Sequence, residues 1–173
     1  IKGLVMQHAT HNTQHFKDNK WHIISTTIEH ESVHEPLHEL EKLGHEVTYV
    51  KCDKEGLASV LDIEKAVKDN TILVSVIYAN NEIGVIQPIK EIGRIIEKNN
   101  ERRQANKLGK IYFHTDATQA VNYLEVRPDW LKADLLTFSG HKIYGPKGIG
   151  ALFVRKNTPL KPVIFGGGQE FGL

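Results

Sequence analysis

Apolar residues follow two alternating rhythms along this chain. Dense β-branched runs occur at Trp21 to Thr27 (WHIISTT), Glu46 to Cys52 (EVTYVKC), Thr71 to Ala79 (TILVSVIYA), Ile111 to Thr115 and Ala133 to Phe138, and each predicts a strand. Between them, apolar positions recur at helical spacing. Residues 1 to 17 predict a helix with Ile1, Leu4 and Val5 on one face and Asp18 to Lys20 as its exit. Ser32 and Glu35 have capping-box spacing for a second helix. Its inward residues are Leu37, Leu40 and Leu43, Pro36 falls in its first turn, and Gly44 stops it. Leu61 to Lys68 predicts a short helix, and Pro88 opens another through about Lys98 with Ile89, Ile92, Ile95 and Ile96 on one face. The charged stretch Asn99 to Lys110 reads as an exposed extension or turn, and Asp116 to Ala120 as a strand exit and the next helix start.

Strands alternating with helices predict an α/β fold, a mostly parallel sheet covered by helices on both faces. TILVSVIYA, a near-continuous apolar run, has the composition of a strand buried on both sides. Ligands of such sheets collect at the carboxyl ends of the strands. The polar clusters of this chain fall there: His30, Asn80-Asn81, Asp116 with Gln119, and Ser139-His141-Lys142. The last belongs to LLTFSGHKIYGPKGIGALFVR, which reads as a buried strand, a glycine-studded loop and a second strand.

Composition narrows the function class. Length 173, hydrophobic content 40% and charged content 25% suit one domain with a substantial core. The 22 basic and 21 acidic side chains give a formal charge of +1, with no electrostatic footprint for nucleic acid or an anionic membrane. The longest apolar run is far too short to cross a bilayer. One cysteine, Cys52, excludes an internal disulfide and is compatible with a reducing compartment. The chain reads as a piece of a longer protein.

A lysine beside a serine and a histidine, in a loop leaving a buried strand, suits a phosphorylated aldehyde cofactor. Most lysines are surface charges, but Lys142 directly follows a strand and is flanked by Gly140 and Gly145, which admit close backbone approach. A desolvated lysine there could form a Schiff base with a carbonyl. Lys147 is the rival, at a turn entering the next strand. Asp116 could bind a metal, cap a helix or pair with a protonated ring nitrogen. Gln119 could then reach a phenolic oxygen and His30 stack on the ring. His30, His34 and His38, like His11 and His15, are spaced four apart, so neighbours could share a helix face. Without HExxH or CxxC, metal binding is the minor reading. Cys52 is better read as a half-buried strand residue than as a reactive thiol.

Beyond these residue-level arguments, SGHKIYGPKGIGALFVR, ANNEIGVIQPI, HTDATQA, IEH and the terminal GGGQEFGL resemble the cysteine desulfurases, members of the class V pyridoxal-phosphate aminotransferase group. The similarity runs through nearly the whole chain in the same order. It implies the large domain of a fold-type I transferase, with residues 1–173 forming part of the domain that binds pyridoxal 5'-phosphate. An N-terminal segment and a C-terminal small domain would lie outside it. Lys142 would hold the cofactor covalently, and Ser139 and His141 would bind its phosphate. Asp116 would pair with the ring nitrogen, Gln119 with the phenolic oxygen, and His30 would stack on the ring and move protons. Asn81 would lie near the phenolic oxygen and the substrate carboxylate. The implied reaction converts L-cysteine to L-alanine and leaves a persulfide on an enzyme cysteine, which Cys52 does not match. A homodimer and a sulfur acceptor such as an iron–sulfur scaffold are implied partners. The implied setting is the cytoplasm, or the mitochondrion in a eukaryote. The competing expectations are another class V enzyme, such as a selenocysteine lyase or an aminotransferase, and a non-catalytic scaffold of the same fold.

Overall fold

The most apolar run in the sequence forms the middle of the molecule. In the computed structural model, which describes residues 1–10 and 20–167, every position of β3 (Thr71–Ile77) is buried. It stands in a six-stranded sheet with β1 (His22–Thr26), β2 (Glu46–Val50), β4 (Tyr112–Asp116), β5 (Leu135–Ser139) and β6 (Gly150–Val154), in the order β2-β1-β3-β4-β5-β6. All pairings are parallel except β5 with β6. The chain steps outward from β1 to β2, then returns across β1 to β3. That reversal is the topological switch point, where open α/β sheets form a crevice.

Helices cover both faces, as the alternation predicts. On one face α1 (Lys2–Thr10) and α2 (Glu31–Lys42) place Leu4, Val5, Val33, Leu37 and Leu40 against Ile23, Ile72 and Leu73. On the other, α3 (Val60–Lys65), α4 (Ile89–Ala105) and α5 (Pro128–Leu131) pack Ile63, Ile89, Ile92, Ile96 and Leu131 against Ile24, Val74, Val76 and Phe113. Gly93 lets α5 approach α4: a Cβ there would lie 2.2 Å from the Leu131 carbonyl oxygen. Residues 11–17 of the predicted first helix, its Asp18-Asn19 exit and the His11–His15 pair lie outside the described residues.

Several local expectations are corrected. Helix α2 begins one residue before Ser32, and its N-cap is His30, whose ring accepts from the Ser32 N–H. Pro36 therefore sits inside the helix, in its second turn, and withholds one backbone donor. The buried stripe starts at Val33, while Leu43 is 73% exposed because it forms the C-cap, where the chain turns out through Gly44 at φ +88°. Residues after Asp116 form turns rather than a helix, and β2 stops at Val50, leaving Cys52 in an isolated bridge with Ala58. Ile95 is only half-buried.

The charged stretch Asn99 to Lys110 holds the largest surprise. Its first part is an extension rather than a turn: α4 continues to Ala105, and against the expected exposure it carries Arg103 into the interior. The Arg103 guanidinium donates to the carbonyls of Gly109, Lys68, Asp69 and Thr71 at 2.7–3.1 Å, tying the end of α4 to the start of β3. Composition hid this, because the arginine's partners are backbone oxygens distant in sequence. Arg103→Met is expected to leave those carbonyls without their donor and to lower stability by roughly 2–4 kcal/mol. Denaturant unfolding measures it; a loss below about 0.5 kcal/mol, the ordinary surface range, would contradict the clamp.

Candidate active site

At the carboxyl edge of the sheet, beside the switch point, lies a cleft of about 280 Å³. Each of the four strand-end clusters contributes to it. Loops after β1 and β3 supply His30 and Asn81, the turn after β4 supplies Asp116 and Gln119, and the loop after β5 supplies Ser139, His141 and Lys142. All seven residues named from the sequence therefore line one space. Lys147 and Cys52 do not line it.

Local structure explains the placement. Strand β5 runs into a single 3-10 turn, Gly140–Ile143, closed by a hydrogen bond from Gly145 N–H to the Gly140 carbonyl at 2.9 Å. Glycine at 145 is required by this closeness, since a Cβ there would meet the same oxygen at 2.8 Å. Ser139 Oγ and His141 Nδ1 are 2.7 Å apart, so a hydroxyl and an imidazole stand together at the end of β5. Lys142 follows, exposed rather than desolvated, with its backbone carbonyl bonded to Asn122 Nδ2 at 3.2 Å. Lys142 rides on a turn at the rim of the sheet.

Asp116 is buried at the end of β4, and its Oδ1 accepts from Thr118 N–H at 2.9 Å. It caps a turn, not a helix. One carboxylate oxygen is thereby fixed to the backbone, and the group sits in the cleft wall with Gln119. His30 accepts from Ser32 N–H at Nδ1 at 3.1 Å, a bond that places the ring's proton on Nε2. The two adjacent asparagines divide their work. Asn80 is buried, bonded through Oδ1 to the Glu82 and Ile83 N–H groups and through Nδ2 to the Ile28 carbonyl. It builds the loop, which leaves Asn81 to face the cleft.

Ile77, Ser32 and Thr118 also line the cleft and were not singled out from the sequence. Ser32 and Thr118 carried a signal, lying two residues from His30 and Asp116. Among the described residues no group of three or more histidine, cysteine or acidic side chains is placed to hold a metal. His34 and His38 instead stack with each other and pack on Tyr49. His22 bridges Thr71 and Thr48 inside the sheet, where burial, helped by Lys68, lowers its pKa to about 4. Burial raises the pKa of Cys52, the direction of an inert thiol. A larger hollow of about 840 Å³ opens beside the second half of α4. Several of its charges are paired with one another, Lys110 with Asp134, Lys132 with Glu97 and Arg155 with Asp129, and Asp134 precedes β5, so this hollow is away from the carboxyl edge.

A parallel α/β sheet with titratable groups gathered at its switch point defines a ligand-binding domain of the doubly wound kind. The chain belongs to the aminotransferase class-V family, whose profile matches residues 4–171. It is 49% identical over 149 residues to the cysteine desulfurase IscS of Dictyoglomus turgidum, a match covering 86% of this chain and 35% of that protein. It is also 49% identical over 160 residues to the mitochondrial cysteine desulfurase of Saccharomyces cerevisiae, covering 91% of this chain and 30% of the relative. Among solved structures, SspA in complex with cysteine superposes with a TM-score of 0.86 at 40% identity, covering 99% of this chain and 45% of that one. A NifS-like protein gives 0.83 at 36% identity, with the same coverage. The chain spans about a third of the length of the curated relatives it matches.

Proposed function

We propose that this chain is part of the large domain of a pyridoxal-phosphate-dependent cysteine desulfurase. The observation that carries the reading is the convergence of Lys142, Ser139, His141, Asp116, Gln119, His30 and Asn81 on one cleft. Its volume is just below the range of about 300–1,000 Å³ usual for small-molecule sites. The donor set fits the cofactor: an amine for the aldehyde, a hydroxyl and an imidazole for the phosphate, a carboxylate for the ring nitrogen and an amide for the phenolic oxygen. The names of the relatives support the choice of reaction.

When bound, pyridoxal 5'-phosphate supplies an electron sink for carbanion chemistry at the substrate α-carbon. The chain's own groups do the rest. Lys142 holds the cofactor through its amine. Ser139 and His141 would hold the phosphate, and Asp116, with one oxygen already bound to Thr118 N–H, would pair with the ring nitrogen. Gln119 sets the phenolic oxygen. His30 covers the ring and donates or takes a proton at Nε2, and Asn81 orients the substrate carboxylate. The sulfur of L-cysteine would pass to a cysteine other than Cys52, whose half-buried thiol has a raised pKa and is outside the cleft.

By the same resemblance the intact protein is a homodimer that hands sulfur to an acceptor such as an iron–sulfur scaffold, in the cytoplasm or, in a eukaryote, the mitochondrion. Exposed Ile149, Leu152 and Phe153 support further chain or a second subunit against β6. Among the described residues no helix is long and apolar enough to cross a membrane. The intact protein, supplied with cofactor, L-cysteine and a thiol reductant, is expected to release alanine and sulfide in equal amounts. Amine transfer to an oxo acid without sulfide would point instead to a class V aminotransferase.

A further inference from the structure

Directly before His30, Glu29 turns its side chain inward, and the residue is 7% exposed. Its Oε1 accepts from Thr26 Oγ1 at 2.6 Å and from Ile77 N–H at 2.9 Å. Its Oε2 is buried without a hydrogen-bond partner. Ile77 lines the cleft and is the register partner of Asp116 across β3 and β4. Glu29 thus fastens the end of β1 to the end of β3, one residue step from the carboxylate that serves the ring nitrogen. The titratable groups facing it are Asp116, from the end of β4, and Cys52, beyond β2.

An ionised carboxylate in this position would leave one oxygen buried and unpaired, beside a second negative charge. A neutral acid removes the buried charge, which is the larger cost, and still accepts the Ile77 N–H. We propose that Glu29 is a positioning residue for the cleft: a neutral carboxylic acid that clamps β1 to β3 behind the cleft wall at Ile77, next to Asp116. This rests on the cofactor reading above only for what Asp116 faces; the clamp and its proton belong to the protein alone. Burial, opposed by its two hydrogen bonds and assisted by Asp116, moves the carboxyl from 4.5 up to about 8. Between those values the folded chain keeps a proton that the unfolded chain has lost. Folded stability therefore falls as pH rises through that window and levels off above it.

The test uses the intact protein with Glu29→Gln, which makes the neutral shape permanent, and Glu29→Ala, which removes the clamp. In the apoprotein, the fall in stability between pH 4.5 and about 8 should flatten in Glu29→Gln by the equivalent of one proton. With pyridoxal 5'-phosphate added, Glu29→Ala should weaken cofactor binding roughly tenfold, and Glu29→Gln should recover most of that loss. An unchanged pH slope in Glu29→Gln would overturn the proton assignment. Equal loss of cofactor affinity in Gln and Ala would overturn it as well, since an ionised group is missed equally in both. Failure of the unaltered protein to take up cofactor would defeat the proposed function, while the apoprotein slope would still decide the role of Glu29.

Discussion

Lys142→Ala in the intact protein is expected to abolish the visible absorbance of lysine-bound pyridoxal phosphate and reduce turnover to background, with folding preserved. The preservation follows from position. Lys142 is exposed on a surface turn, and its structural contact to Asn122 is made by its backbone carbonyl, which alanine retains. Surface changes of this sort usually alter stability by about 0.5 kcal/mol or less. The loss follows from chemistry: no other amine among the described residues lines the cleft, so none can take over the aldehyde. Circular dichroism would confirm the fold and an absorbance scan with added cofactor would read the site. A retained visible band in a folded variant would reassign the lysine, with Lys147 as the next candidate.

Asp116→Asn should give the second largest effect. The asparagine Oδ1 can still accept from Thr118 N–H, so the turn after β4 survives and only the negative charge is lost. Under the proposed function, that charge is what would hold a ring nitrogen protonated and the electron sink effective. Turnover is expected to fall by roughly a hundredfold or more, the scale of losing one preorganised electrostatic partner. Cofactor affinity should fall less, because the lysine and the phosphate contacts remain. The variant's alanine formation rate and its cofactor titration separate the two effects. Turnover within about threefold of the unaltered protein would reject the pairing, as such a change is under about 0.7 kcal/mol of barrier.

Much of the fold was legible because its central element is extreme. TILVSVIYA is apolar at nearly every position, and it became the strand with every residue buried. The site was legible for a related reason: strand ends are easy to locate when strands are dense, and polar clusters directly after them stand out. Other features were hidden. His30 as the cap of α2 could not be seen, since Ser32 and Glu35 offered a stronger local signal for a start two residues later. Arg103 was unreadable because its four acceptors are carbonyls brought near only by folding. Glu29 was passed over as part of IEH, because nothing in its neighbours reveals that Ile77 will bond it from another strand.

The order of the strands also sets a timetable. Each wall of the cleft is supplied by a different stretch of chain: His30 after β1, Asn81 after β3, Asp116 after β4, and Lys142 after β5. During synthesis the lysine emerges last, after the other three walls have already left the ribosome. A ligand that needs all four walls is therefore unable to guide the early pairing of β1, β2 and β3, and the sheet must assemble by its own burial.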